Sequence, residues 1–281
     1  GNDIRPIGVN NLDRKVAAAA CNVVLRDLSR EHFEGLQYCM EKNGCEKVVH
    51  LFRVGMERNP SFDCFLMDGD NAFNRLCRAA ALQAVKEHFP SGLPFLRSIY
   101  GSSSTAWHSS DGEAVSLDSC EGVHQGCKSA MWLYGVGTMP FLKGIRDILG
   151  EEGLLAFYAD DGNLFAPFEK MVECVEYVRR EGPKYGFFLK PNKGKYLLGS
   201  CSVHEARRRR AILIQDLGLS PDIIRFHPSN VDPDLFEETE LAYGAKILGS
   251  FIGSDAYVEN VLEDVLVDTR EVGKVIAKVP N

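Results

Sequence analysis

Apolar positions along the chain follow two spacings, one typical of helices and one typical of buried strands. Apolar residues recur at three- and four-residue intervals in several segments, which predicts helices over 11–29, 44–59, 72–88, 128–148, 168–182 and 255–278. Short continuous apolar runs predict strands over 62–68, 186–190 and 194–199. The first of these runs, FDCFLMD, ends in Asp68 and has the character of a buried strand.

Two further segments carry turn residues between strand-like halves. STAWHSSDGEAVSL (104–117) has Asp-Gly between its halves, and GLLAFYADDGNLFA (153–166) has Asp-Asp-Gly between apolar flanks. Asp-Gly favours the tight turn of a β-hairpin because both residues tolerate a left-handed backbone. We therefore expect a hairpin in each segment, the second with acidic residues at its tip.

This order of elements predicts an α+β fold in which helices pack on one face of a mostly antiparallel sheet. Acidic side chains then stand at the ends of two separate strands, one at Asp68 and the other at Asp160 and Asp161. A polar stretch rich in Asp and Pro, 219–240, is the best candidate for a domain boundary or an insertion.

Composition narrows the class of protein. A chain of 281 residues, 45% of them hydrophobic, is long enough to bury one large core or two modest ones. Its nine cysteines are scattered without a Cys-x-x-Cys pair, which is typical of reduced thiols inside cells. No apolar run of about 18 residues occurs, and the first residues lack the pattern of a signal peptide. We therefore expect an intracellular protein of the nucleus or cytoplasm, neither secreted nor membrane-spanning.

The net charge of −7 argues mildly against nucleic-acid binding, because contacts with phosphate groups need Lys and Arg. Global charge does not exclude a local basic groove, however. Basic residues concentrate in two segments, 184–195 and 207–210.

The three aspartates suit one chemistry in particular. Nucleotidyl transfer uses two divalent cations about 3.5–4 Å apart, and Mg²⁺ prefers oxygen ligands. Carboxylates on adjacent strand ends, such as Asp68 beside Asp160 and Asp161, are suitable ligands. The alternative is that Asp-Asp-Gly is an ordinary turn, since these residues dominate turns. The chemistry alone leaves both interpretations open.

Several motifs, in one order along the chain, resemble those of reverse transcriptases. They are RPIGV (5–9), MDGDNAFN (67–74), EGVHQG (121–126), YADD (158–161), YGFFLKPNKGKYLL (185–198) and AKILGSFIG (245–253). The form of the second motif, together with GCEKVVHLF (44–52), is most similar to eukaryotic non-LTR retroelements.

The resemblance implies the palm of a right-hand polymerase with partial fingers. It implies fingers over 1–60, the palm with its catalytic motifs over 61–218, and the end of the palm, a primer-grip-like hairpin and a terminal helix over 219–281. It implies no thumb within these residues, which predicts a fragment of a longer polymerase.

The resemblance also implies roles for individual residues. Asp68 and Asp160 would bind two ions, Mg²⁺ or Mn²⁺, with Asp161 as a weaker ligand. Backbone N–H groups would meet the incoming triphosphate along the segment after Asp68, formed by Gly69, Asp70, Asn71 and Ala72. Phe73 would exclude a ribose 2′-hydroxyl, although core packing is an alternative role for it.

Other matched residues lie outside these two motifs. Gln125 and Gly126 would contact the nucleotide and template, and Arg5 would contact the triphosphate, with Arg14 and Lys15 as further candidates. Lys193 best matches the proposed general acid towards pyrophosphate, and Lys195 is its competitor.

The function implied is that of an RNA-directed DNA polymerase whose partners are an RNA template, a DNA primer and dNTPs. One departure matters: Cys127-Lys128-Ser129 follows Gly126, where many relatives carry Asp-Pro-Leu-Ser. The main alternative is therefore a degenerate or domesticated domain that binds RNA or protein. An RNA-dependent RNA polymerase is disfavoured by YADD and AFN. The sequence does not define an oligomeric state.

Overall fold

The computed structural model describes residues 12–33, 35–110 and 113–276. Its helices are α1 (Leu12–Leu28), α2 (Arg30–Phe33), α3 (Gly44–Arg58), α4 (Ala72–Arg75), α5 (Arg78–His88), α6 (Leu93–Tyr100), α7 (Ala130–Leu149), α8 (Phe168–Tyr185), α9 (Val203–Gln215), α10 (Phe236–Ala242) and α11 (Asp255–Ile276). Its strands are β1 (Asp63–Met67), β2 (Ser104–Ser110), β3 (Glu113–Ser119), β4 (Leu154–Tyr158), β5 (Asp161–Ala166), β6 (Lys195–Leu197), β7 (Ile224–Arg225), β8 (Gly244–Ile247) and β9 (Ser250–Gly253).

The central sheet has five strands in the order β4-β5-β1-β6-β7. Its pairs are antiparallel except for β6 with β7, which run parallel. β1 lies in the middle, and all five of its residues are buried. Such a strand has neighbours on both edges and cover on both faces, which explains its continuous apolar sequence.

Helices α7 and α8 cover one face of the sheet, and α5 packs against both of these helices. Successive side chains of a strand point to opposite faces, so Phe65 and Met67 join the core beneath these helices. Cys64 and Leu66 point the other way, into a second cluster with α3 and the β8–β9 hairpin. Helix α7 is buried on nearly all sides, as its apolar sequence requires.

The predicted α+β class is confirmed, as are the 153–166 hairpin and the helices at 44–59, 128–148 and 168–182, to within a few residues. β2 and β3 pair as predicted, although the turn residues Asp111 and Gly112 lie outside the described ranges. The last two residues of the predicted 255–278 helix also lie outside them.

Two local predictions are wrong. The 72–88 segment is two helices, because Leu76 is extended and the N–H of Cys77 donates to the carbonyl of Tyr185 rather than within a helix. The 186–190 segment is not a strand; it pairs with the chain after β1 through one bridge, Gly69 with Leu189. The prediction also missed α6 and α9, and α9 buries only two side chains, so its apolar pattern is weak.

Within the described residues, the helices are all too short or too polar to cross a membrane.

Candidate active site

The end of β1 and the tip of the β4–β5 hairpin meet at one edge of the central sheet. Met67, the last residue of β1, is paired with Gly162, so Asp68, the next residue, lies at the end of the sheet where β5 begins with Asp161. Asp161 in turn pairs with Tyr158 across the hairpin, which puts Asp160 in the turn. Residues separated by more than 90 positions in sequence therefore bring their carboxylates to the same edge.

The hairpin turn has an unusual backbone. Ala159 has φ of 55°, in the left-handed region that residues with a Cβ atom seldom adopt. Asn163, buried on β5, donates from Nδ2 to the carbonyl of Ala156 at 3.0 Å. The turn is thus held by the protein on its inner side, while Asp161 is exposed at the tip.

An aromatic pair lies beside the carboxylates. Tyr134, fully buried in α7, has a pKa raised well above its usual value, chiefly by burial and further by the charges of Asp160 and Asp161. Its ring stacks on Phe73 with centroids 4.8 Å apart. Phe73 is half-buried, so it both packs against the core and keeps part of its ring exposed.

The chain after β1 turns sharply and pairs with residues 188–190. The N–H of Asp70 donates to the carbonyl of Phe188 at 2.7 Å, and the N–H of Lys190 donates to that of Asp68 at 3.0 Å. The N–H of Asp70 is therefore already bonded within the protein. Ala72 is buried, and Asn71 has a left-handed backbone at the start of α4.

Three cations surround Asp70, next to Asp68. Its carboxylate lies 2.7 Å from a guanidinium nitrogen of Arg75 and 2.9 Å from Nζ of Lys190. The hydrogen bond from Lys190 lowers the pKa of Asp70, and the charges of Arg75, Lys190 and Lys193 lower it further. Sequence reasoning missed Arg75 and Lys190. The role of Lys190 depends on a pairing between segments 120 residues apart (190 − 70).

The two lysines weighed from the sequence lie in different surroundings. Lys193 is exposed and acts electrostatically on Asp70, at the edge that carries the aspartates. Lys195 is paired with Leu66 in the sheet, and its pKa is lowered by burial and by nearby Arg225. Lys193 is therefore the better placed of the two.

The segment around Gln125 lies against the residues after Phe73. The N–H of Gly122 donates to Leu76 at 2.9 Å, and that of Val123 donates to Phe73 at 2.7 Å. A side chain on Gly122 would overlap the backbone of Asn74, so this close approach requires glycine. Gln125 itself is half-buried, and Gly126 is exposed.

A buried arginine, also missed from the sequence, anchors this segment. Arg78 donates from Nε to the carbonyl of Gly122 and from another guanidinium nitrogen to that of Ser119, both at 2.7 Å. Its own backbone N–H donates to the carboxylate of Glu121 at 3.0 Å. Only a long-range contact reveals this role.

Of the cationic residues predicted for the fingers, the structure describes Arg14 and Lys15. Arg5 and the rest of RPIGV lie outside the described residues. Arg14 donates to the carbonyl of Ile99 at 3.1 Å, and its charge contributes to a lowered pKa of His124, whose first cause is burial. Lys15 is exposed on α1.

The aspartates offer only carboxylate oxygens, a donor set that fits Mg²⁺ or Mn²⁺. Among the described residues, no group of three or more His, Cys, Asp or Glu side chains is gathered closely enough to hold a metal ion. Mg²⁺ commonly takes one or two protein carboxylates and completes its shell with water and substrate phosphate. The residues therefore fit a site that is completed by substrate.

An open cavity of about 650 Å³ lies elsewhere, at the start of β1. It is lined by residues of α3, the β8–β9 hairpin and the start of α11, such as Arg53 and Phe251, and by Phe62 in the loop before β1. It includes none of the three aspartates, so it is separate from the candidate active site.

Comparison with known proteins gives a family and a fold. The profile of the family described as Reverse transcriptase (RNA-dependent DNA polymerase) matches residues 1–233. Among curated proteins, no relative matches.

The fold is similar to solved structures of telomerase. Apo telomerase from Candida tropicalis, truncated from its C-terminal domain, matches with 14% identity and a TM-score of 0.51, over 67% of this chain and 41% of that one. Telomerase from Candida tropicalis in complex with a TWJ fragment of telomeric RNA matches with 12% identity and a TM-score of 0.50, over 64% and 33%. The chain thus spans less than half the length of these telomerases, and identity this low shows the fold alone.

Proposed function

The chain belongs to the reverse transcriptase (RNA-dependent DNA polymerase) family, and from this premise we propose that it is an RNA-directed DNA polymerase. It adds dNTPs to the 3′-hydroxyl of a DNA primer on an RNA template. The observation that carries the proposal is the register of β1 and β5, in which Met67 pairs with Gly162 and so brings Asp68, the next residue, to the end of the sheet that carries Asp160 and Asp161. The form of the motifs supports an origin in a non-LTR retroelement, and an intracellular site of action belongs to the same proposal.

The aspartates are the proposed metal ligands. Asp68 and Asp160 would hold two Mg²⁺ or Mn²⁺ ions, and Asp161 would assist them. When bound, such ions activate the attacking hydroxyl and offset the charge of the triphosphate. The half-exposed position of Asp68 and the exposed tip at Asp161 leave both carboxylates accessible to substrate.

The neighbouring residues have complementary roles. Arg75, Lys190 and Lys193 supply positive charge beside residues 69–72, the segment proposed to lie under the triphosphate. Lys193 is the proposed proton donor to pyrophosphate, with Lys190 as a new competitor because it already contacts Asp70. Phe73, supported by Tyr134, selects against the ribose 2′-hydroxyl.

The proposed partners follow from the same site. RNA as template is supported by the family and by the likeness to a telomerase solved with an RNA fragment. Residues 1–60 are the proposed fingers, 61–218 the palm, and 219–281 the end of the palm with the β8–β9 hairpin as a primer grip.

The alternative is a degenerate domain that binds RNA or a protein without catalysis. The departure after Gly126 favours it: Cys127 is buried, and its thiol lies 3.3 Å from the hydroxyl of Ser129, so this loop differs from the Asp-Pro form of many relatives. Binding of an RNA–DNA hybrid without any extension would support this alternative.

Primer extension on an RNA template tests the proposal directly. We expect Mg²⁺-dependent incorporation of dNTPs by the wild-type protein and a loss on the order of 100-fold or more in Asp160→Asn, because a charged group is removed from the reacting centre. Asp147→Asn, at an exposed position of α7, is the matched control and should retain activity. Equal extension by the Asp160 and Asp147 variants would contradict the proposal.

A further inference from the structure

Gln37 is a buried polar residue that lies outside all six reverse-transcriptase-like motifs. It lies between α2 and α3, and its side chain has no exposed surface. A buried amide is costly unless its donor and acceptor atoms are bonded, so its partners indicate why it is there.

The Gln37 amide bonds both backbone groups of Ala159. Oε1 accepts a hydrogen bond from the N–H of Ala159 at 2.8 Å, and Nε2 donates to the carbonyl of Ala159 at 3.1 Å. Oε1 also accepts from the N–H of Cys39 at 3.3 Å. The side chain therefore acts towards Ala159 as a neighbouring strand would.

The backbone around Gln37 continues this pairing. The N–H of Tyr38 donates to the carbonyl of Phe157 at 2.7 Å, and the N–H of Phe157 donates to that of Leu36 at 2.8 Å. Residues 36–38 thus extend the sheet beyond β4. These backbone hydrogen bonds end before the turn that follows Tyr158. For Ala159, in that turn, the Gln37 side chain supplies the hydrogen bonds instead.

Ala159 needs this support for two reasons. Its left-handed backbone is disfavoured for any residue with a Cβ atom. It is also buried, so water does not readily satisfy its N–H and carbonyl. Gln37 bonds both groups while Ala159 has this conformation, and Asp160 and Asp161 follow directly in the chain.

We propose that Gln37 is a positioning residue that holds the hairpin turn at Ala159 and thereby sets the direction of the Asp160 and Asp161 carboxylates. The consequence for metal binding rests on the proposed function of those aspartates. The hold on the turn itself does not, and it is separately measurable.

The test uses Gln37→Met, which keeps the volume of the side chain but removes its donor and acceptor. The chain offers a matched control in Asn230, another buried amide. Its Nδ2 donates to the carbonyl of Gly199 at 2.9 Å and its Oδ1 accepts from the N–H of Cys201 at 2.8 Å. These partners lie at the start of β1, away from the hairpin. Asn230→Leu therefore removes a similar set of buried hydrogen bonds at a place remote from Ala159.

Hydrogen exchange, followed by mass spectrometry, measures the hold on the turn. In Gln37→Met we expect peptides spanning 156–162 to exchange about tenfold faster, whereas Asn230→Leu should leave them unchanged. Unchanged exchange of this peptide in folded Gln37→Met would overturn the proposal, whether or not the protein is a polymerase.

Binding of Mn²⁺, measured by electron paramagnetic resonance, tests the consequence for the aspartates. We expect the dissociation constant to rise about fivefold to tenfold in Gln37→Met and to stay unchanged in Asn230→Leu. Adding Ala159→Gly to Gln37→Met should recover part of the affinity, because glycine adopts the left-handed region without strain. If both single variants weaken Mn²⁺ binding equally, Gln37 has only a structural role.

Failure of the proposed function gives a different result. Wild-type protein that neither binds Mn²⁺ nor extends a primer would contradict the function, and hydrogen exchange would still decide whether Gln37 holds the turn.

Discussion

The two ends of β1 each carry an aspartate in very different surroundings. Asp63, at the start of the strand, is fully buried. It accepts hydrogen bonds from the hydroxyl of Tyr196 at 2.7 Å and the N–H of Gly199 at 2.8 Å, and it pairs with Arg209 at 3.1 Å. Asp68, just beyond the other end, is half-exposed. Within the described part of the chain its carboxylate receives no hydrogen bond.

The difference separates a structural carboxylate from one that suits an external ligand. A buried charge is tolerated when the protein supplies both a counter-charge and donors, as it does for Asp63. At Asp68 the nearby cations contact Asp70 instead. Residue type and position at a strand end therefore do not distinguish the two aspartates. They are distinguished by whether the protein itself supplies hydrogen bonds and a counter-charge to the carboxylate.

The largest expected effect is the loss of primer extension on substitution of Asp68. Asp68→Asn should lower the rate of primer extension by about 1,000-fold or more, because it removes a proposed metal ligand, and it should change the free energy of unfolding little. Steady-state extension assays and urea denaturation measure the two quantities. A variant that loses stability and activity together would show that Asp68 is structural, like Asp63.

At the Asp63 end we expect the opposite pattern. Arg209→Met should lower the free energy of unfolding by about 3–5 kcal/mol, because it leaves the buried Asp63 without its counter-charge. Near 20 °C, where the variant is still folded, extension activity should be retained. Arg207→Met, on the same helix but exposed, is the control. Loss of activity in a folded Arg209→Met protein would contradict the purely structural role of the Asp63 end of β1.

The pH dependence of stability sharpens the same contrast. Burial raises the pKa of Asp63 from 3.8 to about 6, although its partners oppose the shift. As the pH falls through 6, the folded state takes up a proton before the unfolded state does. The free energy of unfolding should therefore rise by about 2 kcal/mol between pH 7 and 4, relative to Asp63→Asn. Urea denaturation of both proteins across this range measures it, and parallel curves would contradict it.

The smallest expected effect is a change in nucleotide selectivity on substitution of Phe73, which lies near Asp68. Phe73→Val should raise incorporation of ribonucleotides relative to dNTPs about tenfold or more, because it removes the ring proposed to exclude the 2′-hydroxyl. Single-nucleotide incorporation assays measure this ratio. Phe73→Tyr, which keeps the ring, is the control. An unchanged ratio in a folded Phe73→Val protein would leave the aromatic with core packing alone.

The sequence predicted the parts of the site that have local signals. The apolar run before Asp68 and the acidic residues at the hairpin tip, Asp160 and Asp161, are each recognisable within a few positions of sequence, and so the strand and the hairpin were predicted. The contacts of Gln37, Arg78 and Lys190 join segments far apart in sequence, and no spacing rule identifies them. The break at Leu76 was missed for a similar reason, since Tyr185 supplies the bond that ends the helical pattern.

The central position of β1 has a consequence for how the protein is made. Met67 cannot pair until Gly162 has been synthesised, 95 residues later in the chain (162 − 67). Leu66 cannot pair until Lys195 has been synthesised, 129 residues later (195 − 66). At about 5–20 residues per second, the ribosome needs roughly 5–20 s to supply the first partner. During that time an apolar strand has neither edge paired, which is the state that aggregates or recruits chaperones. The strand that organises the proposed active site is thus made before both of its neighbours in the sheet and is paired on both edges only after β6 has been made.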